Sequence, residues 1–266
     1  MHGGSTSRPP EVTVDAVSKR YRSNRGDVLA LAEISTTIDH GQFVSILGPS
    51  GCGKSTLLKI VAGLTTRTAG TVLVQGREVT KPQTQIGLVF QNPVLLPWRS
   101  VIQNVLIQAE ARNLPGEAAR HRAQALLESV GLDGFHDKRP HELSGGMQQR
   151  VAICRALLHD PKLILMDEPF GALDAITRDQ MGVDLERLWT SSVRTMLFVT
   201  HSIAEAVFLS DRVLMMSPRP GRVVLDLLIE LPRPRTLDVR DTPEFVNHCA
   251  TLRRALESTG ALRASL

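Results

Sequence analysis

The nine residues GPSGCGKST, Gly48 to Thr56, constrain the fold of this chain more than any other stretch. They follow a strand-like apolar run, QFVSIL, and lead into a helix-like run, TLLKIVAGL. A glycine-rich loop between a strand and a helix is the context in which a P-loop binds phosphate. The glycines allow a tight turn, and the backbone N–H groups and the positive end of the helix dipole face the anion. The pattern predicts an α/β fold with a phosphate site at this loop.

Two side chains of the loop have specific predicted roles. Lys54 is expected to reach the β and γ phosphates of a nucleotide, and Ser55 to offer its hydroxyl to Mg²⁺, a hard ion that prefers oxygen ligands. Cys52 is interpreted as a small loop residue whose modification would block the phosphate-binding site. The alternative is a glycine-rich turn without a ligand. The candidate nucleotide-contacting residues are Gly48, Pro49, Ser50, Gly51, Cys52, Gly53, Lys54, Ser55 and Thr56.

A second motif, LILMDEP, ends an apolar strand with two acids. In an α/β sheet, ligands bind at the carboxyl edge of the strands, where Asp167 is expected to lie and to hold Mg²⁺ directly or through water. Glu168 is expected to orient or deprotonate an attacking water, a role that phosphoryl transfer requires. The alternative is a solvated acidic strand end.

The runs QFVSIL, KLILMD and TMLFVT predict buried strands of a parallel sheet. From about 93 to 159 the pattern is helical, which predicts a helical subdomain inserted into the α/β domain. Within it, EAARHRAQALLESVGL predicts a helix on which the apolar Ala125, Leu126 and Val130 recur at helix spacing, and which ends at Gly131.

The ends of the chain differ from its centre. Residues 1–10, MHGGSTSRPP, are small, polar and interrupted by proline, and are expected to be flexible. The main domain is expected to span 11–238, followed by a helical extension over 239–266. In that extension, Thr242 is predicted to cap a helix and Pro243 to occupy its first position.

Composition excludes several classes of protein. Thirty-one Lys and Arg against 27 Asp and Glu give a net charge of +4, without the clustered basic stripe that nucleic-acid binding requires. The three cysteines are far apart and odd in number, so no disulfide framework is expected and a reducing compartment is the simplest interpretation. No apolar run reaches the roughly 18 residues of a membrane-spanning helix.

The stretch LSGGMQQRVAICRALLHDP carries the family resemblance. Leu143, Ser144, Gly145 and Gly146 resemble the signature motif of the ATP-binding cassette family, the ATPase subunits of ABC transporters. Ser144 can cap a helix, and the glycines allow N–H groups to approach an anion; an ordinary capped helix is the alternative. In the family these groups close on the γ-phosphate held by the other protomer, so the resemblance implies a head-to-tail dimer with two ATP molecules. Met147 stands where many members have glutamine.

Four further positions match the family in chain order. The resemblance implies that Tyr21 stacks on adenine, that Gln91 senses Mg²⁺ and the attacking water, that Asp174 lies in the loop that crosses the dimer, and that His201 contacts the γ-phosphate. Taken singly, an aromatic ring, a polar strand end or a histidine is more often structural. The whole set supports the assignment.

Two other segments bear on what the ATPase drives. In NPVLLPWRSVIQNV, Leu95, Leu96 and Trp98 form either a partner surface or part of the packing of the helical subdomain. VLMMSPRPGRVVLDLLIELPRPR predicts two strands joined by a turn at Pro220 and Gly221. Its arginines either solvate the turn or help to bind anionic groups. Together with LLPW, this segment resembles the ATP-binding subunits of the nitrate, sulfonate and taurine import group.

The sequence therefore predicts a P-loop NTPase of the ABC ATPase type, with a RecA-like α/β core and an inserted helical subdomain. The resemblance implies an importer ATPase that uses ATP and Mg²⁺ on the cytoplasmic face of the cell membrane. Its implied partners are integral-membrane permease subunits, a second ATP-binding subunit and an external solute-binding protein. Sulfonate, taurine, nitrate and pyrimidine-precursor uptake all remain open.

Two alternatives are a soluble ABC ATPase acting on DNA or ribosomes, and a nucleotide-binding scaffold that does not hydrolyse ATP. The first typically carries coiled coils, zinc modules or paired cassettes, and the chain has one compact cassette without cysteine clusters. The second is disfavoured because Lys54, Asp167, Glu168 and His201 are all present.

Overall fold

Three continuous apolar runs form the middle of the main sheet, as the sequence predicts. In the computed structural model, which describes residues 9–22 and 26–260, every residue of Phe43–Leu47, Leu163–Asp167 and Thr195–Thr200 is buried. Such strands are apolar along their whole length because helices cover both faces of a parallel sheet. The α/β prediction is confirmed. The predicted flexible lead lies outside the described residues except for Pro9 and Pro10, which belong to no helix or strand.

Strands and helices are mixed along the chain, and three of the α-helices follow one another between the sixth and seventh strands. The strands are β1 (Val12–Tyr21), β2 (Val28–Ile38), β3 (Phe43–Leu47), β4 (Ala69–Val74), β5 (Arg77–Glu78), β6 (Gly87–Val89), β7 (Leu163–Asp167), β8 (Thr195–Thr200), β9 (Arg212–Met216) and β10 (Val223–Leu228). The helices are α1 (Lys54–Val61), α2 (Val101–Glu110), α3 (Gly116–Ser129), α4 (Gly145–Leu157), α5 (Ala175–Thr190), α6 (Ile203–Leu209) and α7 (Pro243–Ser258).

The strands form two sheets. The main sheet has the order β10-β9-β3-β8-β7-β6, in which only β10 is antiparallel to its neighbour. The second sheet is antiparallel, with the order β2-β1-β4-β5. In the main sheet Leu47 pairs with Thr200 and Asp167 with Val199, so β3, β7 and β8 end at the same edge. This register places the P-loop and the acidic strand end side by side.

Helix α1 lies between the two sheets, in a core to which Leu57 and Leu58 of α1, Val12 of β1 and Leu165 of β7 all contribute. A second core covers the other face of the main sheet and includes residues of α5, α6 and α7. Both faces of the central strands are therefore covered, which explains why their sequences do not alternate.

The helical region lies between β6 and β7 and has a core of its own, formed by α2, α3 and α4. Helix α3 ends just before Gly131, whose φ of +70° is the left-handed conformation that terminates helices. Of the three apolar residues named from the sequence, Val130 is buried, Leu126 is partly buried and Ala125 is exposed. The buried residues of α3 are Ala119, Ala123 and Leu127, spaced by four residues.

The two proline- and arginine-rich stretches near the end of the chain are folded. SPRPG forms the predicted turn between β9 and β10. Beyond β10, Arg235 is only 3% exposed, and its guanidinium donates to the backbone oxygens of Val207, Phe208 and Ser210 at 2.8–3.1 Å. These carbonyls lie at the C-terminal end of α6, where a cation is favourable. The second stretch therefore anchors the chain to α6.

Helix α7 begins as predicted, with Pro243 in its first turn and the Thr242 hydroxyl accepting from the Phe245 N–H at 3.3 Å. Its buried residues are Phe245, Leu252 and Leu256, which join the core shared with α5 and α6. Val246, in the first turn of the helix, is 54% exposed. The helix lies against the main domain.

Candidate functional site

The P-loop turns from the end of β3 into α1 through backbone conformations that favour glycine. Gly53 has a φ of +110°, and a Cβ at this position would lie 2.6 Å from Leu31 Cδ2. Only glycine avoids both the strain and the clash. Helix α1 starts at the next residue without a side-chain cap and without an acidic residue in its first turn. The N–H groups of that turn, which have no acceptor within the helix, are therefore suited to an external anion.

Lys54 is buried below the loop, with only 4% of its side chain exposed. Its Nζ donates to the carbonyl oxygens of Gly48 at 2.9 Å and Pro49 at 3.1 Å, and lies 3.3 Å from Glu168 Oε1. The cation is held in place by its own loop before any phosphate binds. This preorganisation fits the predicted role of Lys54.

Asp167 and Ser55 meet where β7 ends beside the start of α1. The Ser55 hydroxyl donates to Asp167 Oδ1 at 2.6 Å, and Asp167 is 8% exposed. Within the described part of the chain, no cluster of three His, Cys, Asp or Glu side chains could hold a metal by itself. Two oxygen ligands fit Mg²⁺, which usually takes one or two protein oxygens and completes its shell with water and phosphate.

Glu168 lies between two partners at the mouth of the site. Its Oε1 faces Lys54 Nζ, and its Oε2 lies 3.2 Å from Nδ1 of His201, which follows β8. Its φ of +46° lies in the left-handed region, which is uncommon for a residue other than glycine. The Glu168 N–H donates to the Val199 oxygen at 3.0 Å, which holds this conformation. The carboxylate therefore faces the P-loop.

Lys54, Ser55 and Glu168 line one cleft with a volume of about 380 Å³, and Asp167 and His201 adjoin it through their contacts to Ser55 and Glu168. Tyr21 stands at one side, with its hydroxyl 3.5 Å from the Thr56 hydroxyl and 43% of its surface exposed. An exposed ring beside a phosphate loop is placed to stack on a base. The cleft is lined by Tyr21, Val28, Ala30, Gly51, Gly53, Lys54, Ser55, Thr56, Glu168 and Arg219.

Other predicted P-loop residues contribute through the backbone. Gly48 and Pro49 supply the carbonyl oxygens that hold Lys54, and Ser50 is exposed at the tip of the turn. Cys52 is 1% exposed and packs into the core between the sheets, where burial raises the pKa of its thiol. Its side chain therefore points away from the cleft, and only its backbone is available to a ligand.

Gln91 follows β6 at the same edge of the sheet, beside the segment that follows Glu168. A Cβ on Gly171 would lie 3.5 Å from Gln91 Nε2, and the Gly171 N–H donates to the Glu168 oxygen at 3.1 Å. The Gln91 amide therefore lies beside Gly171, which is hydrogen-bonded to Glu168 just after β7.

The remaining predicted residues do not line this cleft. Ser144 caps α4, its hydroxyl accepting from the Met147 N–H at 3.3 Å, and Gly145 and Gly146 form the first turn of that helix. Asp174 caps α5 and accepts from the Thr177 N–H and hydroxyl at 3.0 Å and 2.7 Å, which lowers the pKa of its carboxyl. Both helix starts are therefore formed without any contact to the P-loop cleft of the same chain.

Sequence reasoning did not assign Val28, Ala30 or Arg219 to the cleft. Val28 and Ala30 belong to β2, which is paired with the end of β1 that carries Tyr21. Arg219 belongs to the SPRPG turn. For this arginine the sequence left two alternatives open, contact with solvent or binding of an anionic group. The SPRPG motif was the available signal for Arg219, but only the fold shows that this turn lies beside the cleft.

The family model described as ABC transporter matches residues 31–171. The chain belongs to the ABC transporter family. It is 41% identical to the aliphatic sulfonates import ATP-binding protein SsuB of Bacillus cereus, over 96% of this chain and 99% of that protein. It is 44% identical to the taurine import ATP-binding protein TauB of Rhizobium johnstonii, over 95% and 98% of the two chains.

A solved ABC cassette, a dimer in a post-hydrolysis state with ADP and Pi, superimposes with a TM-score of 0.74 at 33% identity. The superposition covers 83% of this chain and 100% of the solved chain. The predicted ABC ATPase fold is confirmed, and the protein is an ATP-binding and ATP-hydrolysing subunit of an ABC transporter.

Proposed function

We propose that this ABC cassette powers the uptake of a small sulfonate-type solute across the cell membrane. The observation that carries the proposal is the meeting of Lys54, Asp167, Glu168 and His201 at one sheet edge, in a chain similar over nearly its whole length to SsuB and TauB. The site supports ATP hydrolysis, and the similarity to SsuB and TauB supports the class of solute. Within the described residues, no helix is long and apolar enough to span a bilayer. Separate permease subunits would form the path, with this cassette on their cytoplasmic face.

Within the cleft, the first turn of α1 and Lys54 would bind the β and γ phosphates, and Tyr21 would stack on adenine. Ser55 and Asp167 would hold Mg²⁺, which would supply positive charge to offset the charge that develops during phosphoryl transfer. Gln91 approaches the same edge and would complete the shell through its amide oxygen. Lys54 would exchange its contact with Glu168 for the phosphate.

Glu168 would then be free to accept a proton from the water that attacks the γ-phosphate, while His201 orients the carboxylate and contacts that phosphate. A positioned base of this kind contributes roughly 10²- to 10⁴-fold to a rate. After Lys54 has moved to the phosphate, the contact to His201 would keep the Glu168 carboxylate at the cleft. Positioning is the main task of the protein in phosphoryl transfer.

The starts of α4 and α5 support a dimer. Ser144, Gly145, Gly146 and Asp174 do not line the cleft of their own chain, and the similar solved cassette is a dimer. We propose that these residues approach the nucleotide of a second ATP-binding subunit, most simply another copy. ATP would then favour the closed dimer because both subunits contact its γ-phosphate only in that state.

Two substitutions test the site. Lys54→Ala is expected to weaken ATP binding because it removes the buried cation, whereas Glu168→Gln is expected to keep binding and to lower turnover about 10²- to 10⁴-fold. Equilibrium ATP binding and phosphate release are measured on both variants. Lys59→Ala, on the same helix but outside the cleft, is the matched control. Unchanged hydrolysis in both site variants would reject the assignment.

A second experiment tests the transport role. The Glu168→Gln protein, tagged and captured from gently solubilised native membranes, is expected to bring down a protein with several membrane spans. Loss of the cassette is expected to abolish uptake of labelled taurine or an alkanesulfonate into intact cells. Recovery of ribosomes or DNA without a membrane protein would instead assign the cassette to the soluble ABC ATPases.

A further inference from the structure

The turn between β9 and β10, residues 217–222, packs directly against the P-loop. The Gly221 N–H donates to the Ala30 oxygen at 2.9 Å, and the Gly221 oxygen accepts from the Ala32 N–H at 3.0 Å. A Cβ on Gly221 would lie 2.2 Å from the Cys52 oxygen, so only glycine allows this approach. The turn is therefore fixed to both β2 and the P-loop.

Arg219 extends from this turn across the tip of the P-loop. Its Nε and Nη2 donate to the Gly51 oxygen at 3.2 Å and 3.1 Å, and it lines the cleft together with Tyr21, Lys54 and Glu168. Two donors on one acceptor set the direction of the planar guanidinium. The remaining N–H groups of that guanidinium have no acceptor in the described part of the chain.

The two cations that line the cleft differ in how their charge is balanced. Lys54 lies 3.3 Å from Glu168 Oε1, whereas Arg219 has no carboxylate within ion-pair distance among the described residues. An arginine that contacts only a carbonyl keeps its charge and most of its donors for another ligand. The planar guanidinium is well matched to phosphate oxygens.

We propose that Arg219 is a nucleotide-binding residue of this cassette, which uses its guanidinium at the tip of the P-loop to contact the phosphate chain of ATP. The inference rests on the ATP site argued above and adds to it a contact that the P-loop does not supply. The SPRPG turn then has a function, because it places Arg219 at the cleft and because Gly221 allows the turn to pack closely against the P-loop.

Three substitutions at one position separate a phosphate contact from support of the loop. Arg219→Ala removes both the charge and the hydrogen bonds to Gly51, Arg219→Gln keeps a donor for Gly51 without the charge, and Arg219→Lys keeps the charge without the fork. The Kd of MgATP is measured by calorimetry in the Glu168→Gln background, which prevents turnover. Arg222→Ala, in the same turn but outside the cleft, is the control.

We expect Arg219→Ala and Arg219→Gln each to raise the Kd for ATP roughly tenfold, and Arg219→Lys to raise it less. The Kd of the neutral variants should also depend less on salt concentration, because one charge is lost from the site. Thermal unfolding should be unchanged, since the side chain is exposed.

Normal binding by Arg219→Gln with weak binding by Arg219→Ala would overturn the proposal, because Arg219 would then only support the loop. Normal binding by both would also overturn it. Lys54→Ala, tested in the same assay, distinguishes the causes of failure. If it too binds ATP normally, the ATP site itself is misplaced; if it loses binding, only the role of Arg219 is wrong.

Discussion

At the scale of single residues, the two glycines that begin α4 differ in how much space their own chain leaves for a side chain. A Cβ on Gly146 would lie 2.5 Å from Thr177 Cγ2 in the first turn of α5, whereas a Cβ on Gly145 would meet no atom within 4 Å. Gly146 is therefore required by the packing of its own chain. The free space at Gly145 leaves room for the phosphate of a second subunit.

Gly146→Ala is expected to destabilise the fold by about 1–3 kcal/mol, the usual cost of overpacking, as measured by urea unfolding. Thr177→Ser in the same chain should restore stability, because it removes Cγ2 and keeps the hydroxyl that donates to Asp174 Oδ2. If the double variant is no more stable than Gly146→Ala, the clash with Thr177 does not explain the glycine.

Gly145→Ala is expected to leave the unfolding curve unchanged and to reduce ATP-dependent dimerisation and ATPase activity. The added methyl has room within the chain but would meet a nucleotide approached from the other subunit. Light scattering of the Glu168→Gln protein with and without ATP measures the dimer. A Gly145→Ala variant that dimerises normally would count against an α4 contact to the partner's ATP.

At the scale of secondary-structure elements, Arg233 and Arg235 hold the segment after β10 to α5 and α6. Arg235 donates to carbonyls at the end of α6, and its N–H donates to Glu186 Oε1 at 3.1 Å. Glu186, on α5, is 1% exposed and also pairs with Arg233, whose guanidinium lies 4.0 Å from the centre of the Trp189 ring. The buried carboxylate is therefore paired with the Arg233 guanidinium and also accepts from the Arg235 backbone N–H.

Arg235→Met is expected to lower the free energy of unfolding by about 3 kcal/mol, because it leaves buried carbonyl oxygens without donors and removes a positive charge that attracts Glu186. Urea unfolding measures the change, and Arg254→Met on the exposed face of α7 is the control, expected within about 0.5 kcal/mol of the parent. Equal midpoints for the parent and Arg235→Met would show that these hydrogen bonds add nothing to stability.

Elements and sites were predictable from the sequence to different degrees. The strands β3, β7 and β8 were predicted because burial on both faces leaves a continuous apolar run. The antiparallel sheet was not, since register shifts in β1 break its alternation between Val14 and Arg20. Lys54, Asp167 and Glu168 lie in local motifs, whereas the role of Arg235 depends on carbonyls more than twenty residues away.

At the scale of the whole molecule, the loop between β6 and α2 divides its apolar residues between the interior and the surface. Leu95 packs against the helical core and Leu96 is partly buried, whereas Trp98 is 67% exposed. The packing hypothesis therefore holds for Leu95, whereas the partner-surface hypothesis stays a prediction for Trp98. Asn104, which is fully buried, accepts from the Leu96 N–H at 2.7 Å and fixes the loop to α2.

An exposed tryptophan on a fixed loop is the type of anchor that protein interfaces use, because a ring with few rotatable bonds loses little entropy on binding. Val94, 61% exposed in the same loop, adds apolar surface, and Arg155 holds its carbonyl at 2.8 Å. We therefore expect the loop to contact the permease through Trp98. Leu96→Asp would be a less selective test, since it would also disturb the packing of the loop.

Trp98→Asp is expected to leave basal ATPase activity and thermal unfolding unchanged and to reduce recovery of the cassette with membranes at least tenfold, because a charge would replace an apolar anchor. Leu228→Asp is the matched control, since Leu228 is 58% exposed on β10, outside the loop. Membrane flotation of tagged proteins measures recruitment. Equal flotation of the two variants would assign membrane binding to another surface and leave the ATP site unaffected.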